Sequence, residues 1–457
     1  MSRKPPPAVA LVSLGCPKNL VDSERMLAGL ALSGMAVTAD PDGADLAIVN
    51  TCAFIDLARA ESDEHIDALE RLKAAGRLGR IVVAGCMAQR YGPEILRRHP
   101  GVDAVVGLSG RDTLADVCRR LLAAGRPPRG RLSRGPARGE VHVGPLPLSP
   151  PDDRERLRLT PRHYAYLRIS EGCDNRCAYC AIPDIRGPLR SKPPDQVLAE
   201  AGELVADGAK EVILIGQDTT AYGRDLPGGW TPARLLAALR QRPGAEWLRL
   251  MYTHPASFSD EVIAQLAEGL PLLPYVDLPL QHASDPILAS MGRRAGRAEI
   301  ENLIARLRRA VPDVAIRTSF IVGYPGETDA QFEELLAFTQ KVRFDHVGVF
   351  VYSPEPGTRA AGLADQVPAT VARRRWDRLM QTAERLGHAA AEARAGRTLT
   401  VLVDGADESG RLIARHAGQA PEVDSAVLLP RGAAEPGRFV RVRVTGAEGY
   451  DLVAEVV

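Results

Sequence analysis

The sequence predicts an α/β protein in three parts. These are an N-terminal doubly wound parallel sheet, a central partial (β/α)6 barrel and a small C-terminal β-barrel. Three observations carry that class. Short β-branched runs alternate with helix-like stretches near the N-terminus, the same alternation returns six times in the centre, and the last 60 or so residues switch to short strands separated by turns. A chain of 457 residues accommodates two to four domains at roughly 100–200 residues each. Hydrophobic content of 45% and charged content of 25% are those of ordinary globular protein.

The first part, residues 1–124, contains "AVALVSLGC", "ADLAIVNTC" and "GRIVVAGC", ending at Cys16, Cys52 and Cys86. Each is the kind of apolar run buried in a parallel sheet. The helix patterns "LVDSERMLAGLALSG", "RAESDEHIDALERLKAAG" and "QRYGPEILRRH" follow them, and "VDAVVG" continues the series. In open α/β sheets ligands bind outside the carboxyl ends of the strands, where all three cysteines fall. The alternative for each is a small buried hydrophobe, the reading that also fits Cys118 in "RDTLADVCRRLLAAG".

Residues 125–162 are crowded with proline, glycine and arginine and read as a linker or an irregular hairpin, with a solvated connector favoured over an RNA contact. Six strand patterns follow in residues 163–394: "YAYLRIS", "KEVILIGQ", "WLRLMYTH", "LPYVDLPLQ", "VAIRTSFIVG" and "HVGVFVYS". With helices between them they predict a partial barrel whose site lies at the carboxyl ends of its strands. In residues 395–457, "TLTVLVDG", "GRLIARHAGQ", "SAVLL" and "GRFVRVRVTGAEGYDLVAEV" predict the β-barrel.

A net charge of +1 makes no general case for nucleic acid or membrane, and no apolar run approaches the length of a membrane span. The apolar run Ala8–Leu14 is short and preceded by three prolines, which opposes a signal helix. The expected location is therefore the cytoplasm, where seven cysteines, an odd number, argue for metal or redox chemistry over disulfides.

"SEGCDNRCAYCAIP" holds Cys173, Cys177 and Cys180 in a C-x3-C-x2-C spacing directly after the first barrel strand. Without a second C-x2-C pair it is not a zinc ribbon. It fits a 4Fe–4S cube held by three thiolates rather than the usual four, with one iron open to a small molecule.

That motif resembles the radical S-adenosylmethionine superfamily. The resemblance implies that the open iron chelates S-adenosylmethionine and that the cluster's electron releases a 5′-deoxyadenosyl radical. It also implies an adenine contact for Tyr179, for which packing is the alternative. It implies pocket-shaping roles for Gly216 and Gln217 in "LIGQDTTAYG" and for Gly323 and Gly326 in "FIVGYPGET", for which a tight turn is the alternative. With the second trio Cys16, Cys52 and Cys86, and with "SLGCPKNLVDSE", "GQDTTAYGRD", "LPLQHASDPIL" and "RTSFIVGYPGET", nearly the whole chain resembles the methylthiotransferases, RimO branch, the last module being similar to a TRAM domain. The sister tRNA branch usually shows Gln-Met-Asn where this chain has Pro17-Lys18-Asn19.

The resemblance implies a second 4Fe–4S cluster on the N-terminal trio. It implies methylthiolation of an aspartate β-carbon in small-subunit ribosomal protein number twelve, free or in the assembled small subunit. S-adenosylmethionine would serve as methyl donor and radical source, with an external electron donor and sulfur source and no catalytic residue beyond the cluster ligands. The alternatives are a tRNA adenosine methylthiotransferase and a non-catalytic iron–sulfur RNA-binding scaffold.

Overall fold

The computed structural model describes residues 5–124, 139–242 and 244–457. They form two compact units. The first runs to Leu159 and includes Glu171–Asn175 and Cys180–Arg190; the second comprises Thr160–Ser170, Arg176–Tyr179 and Ser191–Val457.

The first unit is built on a six-stranded sheet. Its order is Ala36–Thr38, Ala8–Ser13, Leu46–Thr51, Arg80–Gly85, Ala104–Val106, Glu140–His142, every pairing parallel. Alternate residues face opposite sides. Ala47, Val49, Ile81 and Val83 pack with Ile66, Leu69 and Ile95. Val9, Ile48 and Val82 pack with Met26, Leu30, Val117 and Cys118 on the other side. Both faces are covered by helices, which is why the strands read as unbroken apolar runs. Each fully buried Val, Leu or Ile stabilises this arrangement by about 1.5–3 kcal/mol. Cys118 is a core residue, its thiol pushed up to about 12 by burial.

Two features differ from the sequence expectation. Ala36–Thr38 is an edge strand too short to register as a pattern. The expected linker, residues 125–162, falls partly outside the described residues, but its later portion is structured. Glu140–His142 pairs with Ala104–Val106, and the segment beyond it is laced onto the helix Pro17–Leu32. Leu157 N–H donates to the Glu24 carbonyl, Leu159 N–H to the Glu24 carboxylate, and buried Arg156 pairs with that carboxylate at 2.9 Å. Backbone pairing and one buried acid, rather than apolar periodicity, order the segment. At Arg156, the solvated connector is not what forms.

The second unit carries two three-stranded parallel sheets. One is ordered Trp247–Leu250, Glu211–Ile215, Tyr164–Arg168, and the other Tyr275–Asp277, Ala315–Val322, His346–Val351. An isolated parallel bridge from Leu248 to Leu272 lies between the strands Trp247–Leu250 and Tyr275–Asp277, next to each other in the chain. These are the six expected strands. Helices including Pro194–Ala206, Arg297–Ala310 and Asp329–Val342 cover them around a core containing Leu214, Leu278, Phe320 and Leu335. The last helix begins with a capping box between Thr328 and Gln331.

The strands Thr398–Ala406, Leu412–His416, Val427–Leu429, Asp451–Val456 and Phe439–Glu448 close a five-stranded barrel. A buried ionic group fixes it to the start of the strand Glu211–Ile215. Arg415 donates to Glu211 at 2.7 Å and to Asp404 at 2.6 Å, while Arg249 donates to the same Glu211 at 2.6 Å. His163 completes the group with a 2.8 Å contact to Asp404.

Candidate cluster sites

Cys16, Cys52 and Cys86 follow three neighbouring strands of the first unit, at their carboxyl ends. The first two flank the point where the strand order reverses, the usual position of ligands in such sheets. Glycine permits the close approach. Gly15 has φ +88°, and a Cβ there would stand 2.8 Å from Cys52 Cβ; Gly85 has φ +94°, and a Cβ would meet the Asn50 side chain and the Thr51 backbone. Asn19, one turn into the helix that Cys16 caps, ties the loops together. Its amide donates to the Leu14 and Thr51 carbonyls at 2.9 Å, and its Oδ1 lies 3.6 Å from Cys86 Sγ.

The three thiols differ electrostatically. Burial works to raise Cys16, but Lys18, Arg186 and the backbone N–H groups of Asn19 and Lys18 outweigh it and lower its pKa. Burial, reinforced by Cys86 and Cys16, pushes the Cys52 thiol up to about 12. Burial also raises Cys86, against the pull of Arg186. Burial therefore keeps Cys52 and Cys86 as thiols, and only a bound cation would favour all three as thiolates.

Behind them lies a buried ionic network. Arg186 donates to Glu171 at 2.6 Å, Asp22 at 3.0 Å, Asn19 at 2.9 Å and Cys86 Sγ at 3.3 Å. Arg111 donates to Asp22 at 2.6 Å and lies 3.4 Å from Glu171. Arg186 belongs to the short helix Ile182–Arg186, a few residues after Cys180.

In the C-x3-C-x2-C loop, Cys173 and Cys180 belong to the first unit and Cys177 to the second. Cys173 N–H donates to the Gly187 carbonyl at 3.0 Å; Gly172, φ +80°, could not carry a Cβ because Pro188 O lies in its place. Within the second unit, Arg293 Nη1 stands 3.9 Å from Cys177 Sγ, and Ala178 N–H donates to the Met291 carbonyl at 2.8 Å. Tyr179 packs against the apolar cluster of Ala178, Ile287, Met291, Tyr324 and Ala360.

The remaining expected residues separate into two groups. Gly216 faces Ser170, whose Oγ would be 2.6 Å from an added Cβ. Gln217 beside it has both amide atoms shielded from solvent with no hydrogen-bond partner. Gly323 and Gly326 have φ of +76° and +79°. Gly323 N–H donates to the carboxylate of buried Glu327, which also takes His282 at 3.2 Å and Arg375 at 2.9 Å. An added Cβ at Gly323 would strike Ala372, whereas nothing lies within 4 Å of one at Gly326. Two non-glycine residues with positive φ, Tyr252 (59°) and Gln281 (75°), lie past the carboxyl ends of barrel strands, where strain is commonly retained for function.

A doubly wound domain with a cysteine trio, a cysteine loop on a partial barrel and a closed β-module together define a radical S-adenosylmethionine protein with an added N-terminal domain. Comparison with known proteins agrees part by part. Residues 167–339 match the Radical SAM superfamily, residues 8–107 the Uncharacterized protein family UPF0004, and residues 395–457 the TRAM domain. The ribosomal protein uS12 methylthiotransferase RimO of Anaeromyxobacter sp. (strain K) is 44% identical, over 98% of this chain and 93% of its own. That of Desulfitobacterium hafniense (strain Y51) is 41% identical, over 98% of each. The chain belongs to the RimO family and is a transferase. Among solved structures, the radical S-adenosylmethionine methyltransferase TsrM from Kitasatospora setae, with tryptophan substrate and a cofactor analogue bound, superposes with a TM-score of 0.54. At 16% identity, over 88% of this chain and 79% of that one, it attests the fold.

Proposed function

We propose that this chain methylthiolates ribosomal protein uS12, replacing a β-carbon hydrogen of an aspartate to give 3-methylthioaspartate. The observation that carries the reading is the convergence of Cys16, Cys52 and Cys86 on adjacent strand ends, in a chain that also holds the C-x3-C-x2-C loop of a radical enzyme. Cys173, Cys177 and Cys180 would hold one 4Fe–4S cluster and the N-terminal trio a second. The donor sets fit: each offers three thiols and leaves one corner of a cube for another ligand.

S-adenosylmethionine, when bound, supplies the methyl group and the 5′-deoxyadenosyl radical needed to break an unactivated C–H bond. This chain's residues bind and orient. Gln217 offers an unmatched donor and acceptor to the cofactor. Arg293 donates toward Cys177 Sγ and Arg186 toward Cys86 Sγ, as hydrogen bonds to cluster sulfurs do elsewhere. Electrons and sulfur come from outside the chain. Among the described residues no helix is long and apolar enough to cross a membrane.

The test is mass spectrometry of uS12 after incubation with the reconstituted enzyme, S-adenosylmethionine, sulfide and a strong reductant. Methylthio-aspartate in uS12 supports the reading; modification of tRNA adenosine alone sends the chain to the sister activity, and absence of 5′-deoxyadenosine to a scaffold.

A further inference from the structure

At the amino end of the first unit's parallel sheet, away from the cysteines, three carboxylates gather around one buried imidazole. The helix Asp56–Ala74 carries Asp63, Asp67 and Glu70 at spacings of four and three residues, which places them on one face. His99 follows the short helix Pro93–Arg98, shortly before the strand Ala104–Val106, and is 5% exposed. Its Nε2 lies 2.9 Å from Asp63 Oδ1, while Asp63 Oδ2 accepts from Arg98 at 2.8 Å. Its Nδ1 stands 3.1 Å from Asp67 Oδ1 and 3.9 Å from Glu70 Oε2. One ligand atom from each of Asp67, Glu70 and His99 lies within 4.8 Å of the other two.

The imidazole is the informative member. An ionised carboxylate can only accept, so Asp63 fixes a proton on Nε2. The Nδ1 lone pair of a neutral ring then faces two anionic oxygens, which repel it unless a positive centre lies between. A proton on Nδ1 would fill that place by making a hydrogen bond. Nδ1 is shielded from solvent and has no hydrogen-bond partner; Asp67 Oδ1 is near enough but out of line. The other groups are already oriented. Glu70 Oε1 accepts the Gly101 N–H at 2.5 Å, which leaves Oε2 for His99, and the Asp67 side chain, 53% exposed, keeps the site open to water. Donors on a tetrahedral zinc, with bonds of about 2.0–2.2 Å, stand roughly 3–3.6 Å apart, close to the 3.1 and 3.9 Å separations here. One imidazole nitrogen with two carboxylates suits a divalent transition ion, whereas magnesium and calcium take oxygen donors. A carboxylate on the far ring nitrogen is the usual support of a metal-binding histidine.

We propose that Asp67, Glu70 and His99, with Asp63 behind the imidazole, bind a divalent transition-metal ion of zinc's kind. Three protein ligands leave a fourth position to water. The ion clasps the helix that leads away from Cys52 to the segment that leads away from Cys86, at the opposite end of both from the thiols. Its role is structural, and it stands apart from the uS12 reading.

The experiment uses the full-length enzyme with its clusters reconstituted, equilibrated anaerobically with buffered zinc alone, as wild type, Asp67→Asn and His99→Gln. Zinc and iron per chain are counted by mass spectrometry, amide exchange is followed along residues 60–74, and circular dichroism establishes folding. Asp67 is largely exposed, so its variant serves even where His99→Gln fails to fold. Wild type is expected to take up about one zinc more per chain than either variant, at unchanged iron. The variants are expected to bind that zinc at least ~10-fold more weakly. Zinc is expected to slow exchange in the helix by ~10-fold or more in wild type and by less than ~2-fold in Asp67→Asn. Because the readout is a difference, zinc taken by cysteines cancels, and the result does not depend on the cluster assignment. Equal zinc in wild type and Asp67→Asn, or uptake that leaves exchange in the helix unchanged, puts the ion elsewhere and overturns the site. No uptake by wild type makes His99 an imidazolium held by its carboxylates, which overturns it as well.

Discussion

Replacing Arg186 by methionine is expected to loosen the whole first unit, because the guanidinium is the centre of a group with no access to water. Asp22 and Glu171 are 0% and 1% exposed, and Arg186 itself 1%. Removing it deletes four donations, one to each of the two buried carboxylates among them. Breaking a buried ion pair by removing one partner costs ~3–5 kcal/mol, a large part of the roughly 5–15 kcal/mol that holds a typical domain folded. Fluorescence is blind to this loss, since Trp230, Trp247 and Trp376 all lie in the second unit. Amide hydrogen exchange on the strands Leu46–Thr51 and Arg80–Gly85 reports it directly. Exchange there should accelerate ~100- to 5,000-fold, following the same free energy. Adding Asp22→Asn removes one stranded charge and should recover more than ~1 kcal/mol, since residues in one network couple. Acceleration below ~5-fold, or no recovery on adding Asp22→Asn, would refute the reasoning.

Substituting Cys173, Cys177 and Cys180 together should leave about four irons per chain and abolish 5′-deoxyadenosine release, measured by iron analysis and chromatography. Substituting Cys16, Cys52 and Cys86 should also leave about four irons, but with 5′-deoxyadenosine still formed and no methylthio product; product at the wild-type level would make these cysteines ordinary core residues. His416 should make the second unit acid-sensitive. Burial and nearby Arg394, His346 and Arg249 lower it to about 3 from an ordinary 6.5, so the unfolded chain takes up a proton that the folded one refuses. Its contribution is complete above pH 6.5 and declines as pH falls toward 3, by ~1.4 kcal/mol at pH 5.5. Urea unfolding followed by tryptophan emission should show that slope, and His416→Asn should flatten it.

The elements that could be read from sequence are those whose apolar period reflects burial. Five of the six barrel strands and the strands that precede the three cysteines fall in this class, as does the last long run, which Gly449 and Tyr450 divide into two strands; in His346–Val351 only Val349 is buried, and its β-branched run rather than burial made it legible. The ionic network was hidden for the opposite reason. In the helix Pro17–Leu32, Asp22, Ser23 and Glu24 are buried, whereas a helical pattern assigns such residues to solvent. Only partners distant in sequence (Arg186 for Asp22, Arg156 for Glu24) make their burial tolerable. A local signal did exist: Asn50 interrupts the otherwise apolar "LAIV" two residues before Cys52, and a polar residue there marks a network. Glycine gave another, since Gly15, Gly85 and Gly172 each precede a cysteine and each has positive φ.

Charge shows where counting stops being informative. The module Gly396–Val457 holds seven arginines against nine carboxylates, which suggests a mildly acidic surface suited to a basic ribosomal protein. Folding redistributes those charges. Arg415 and Asp404 are bound to each other and to Glu211 and His163, and the Asp424 carboxylate, fully shielded, takes Arg317 at 3.1 Å and Tyr275 at 2.8 Å. These groups hold the module in place and present little to a partner. Arg438, Arg441 and Arg443 remain exposed, the last two pointing outward from alternate positions of one strand, with Glu455 directly across from Arg443. The outer face is therefore mixed, with a short basic stripe, rather than uniformly acidic. The stripe's contribution is measured by salt dependence: replacing Arg441 and Arg443 with glutamine should leave binding of isolated uS12 within about 2-fold, while lowering the salt slope for small-subunit binding by up to ~2 if both arginines contact RNA.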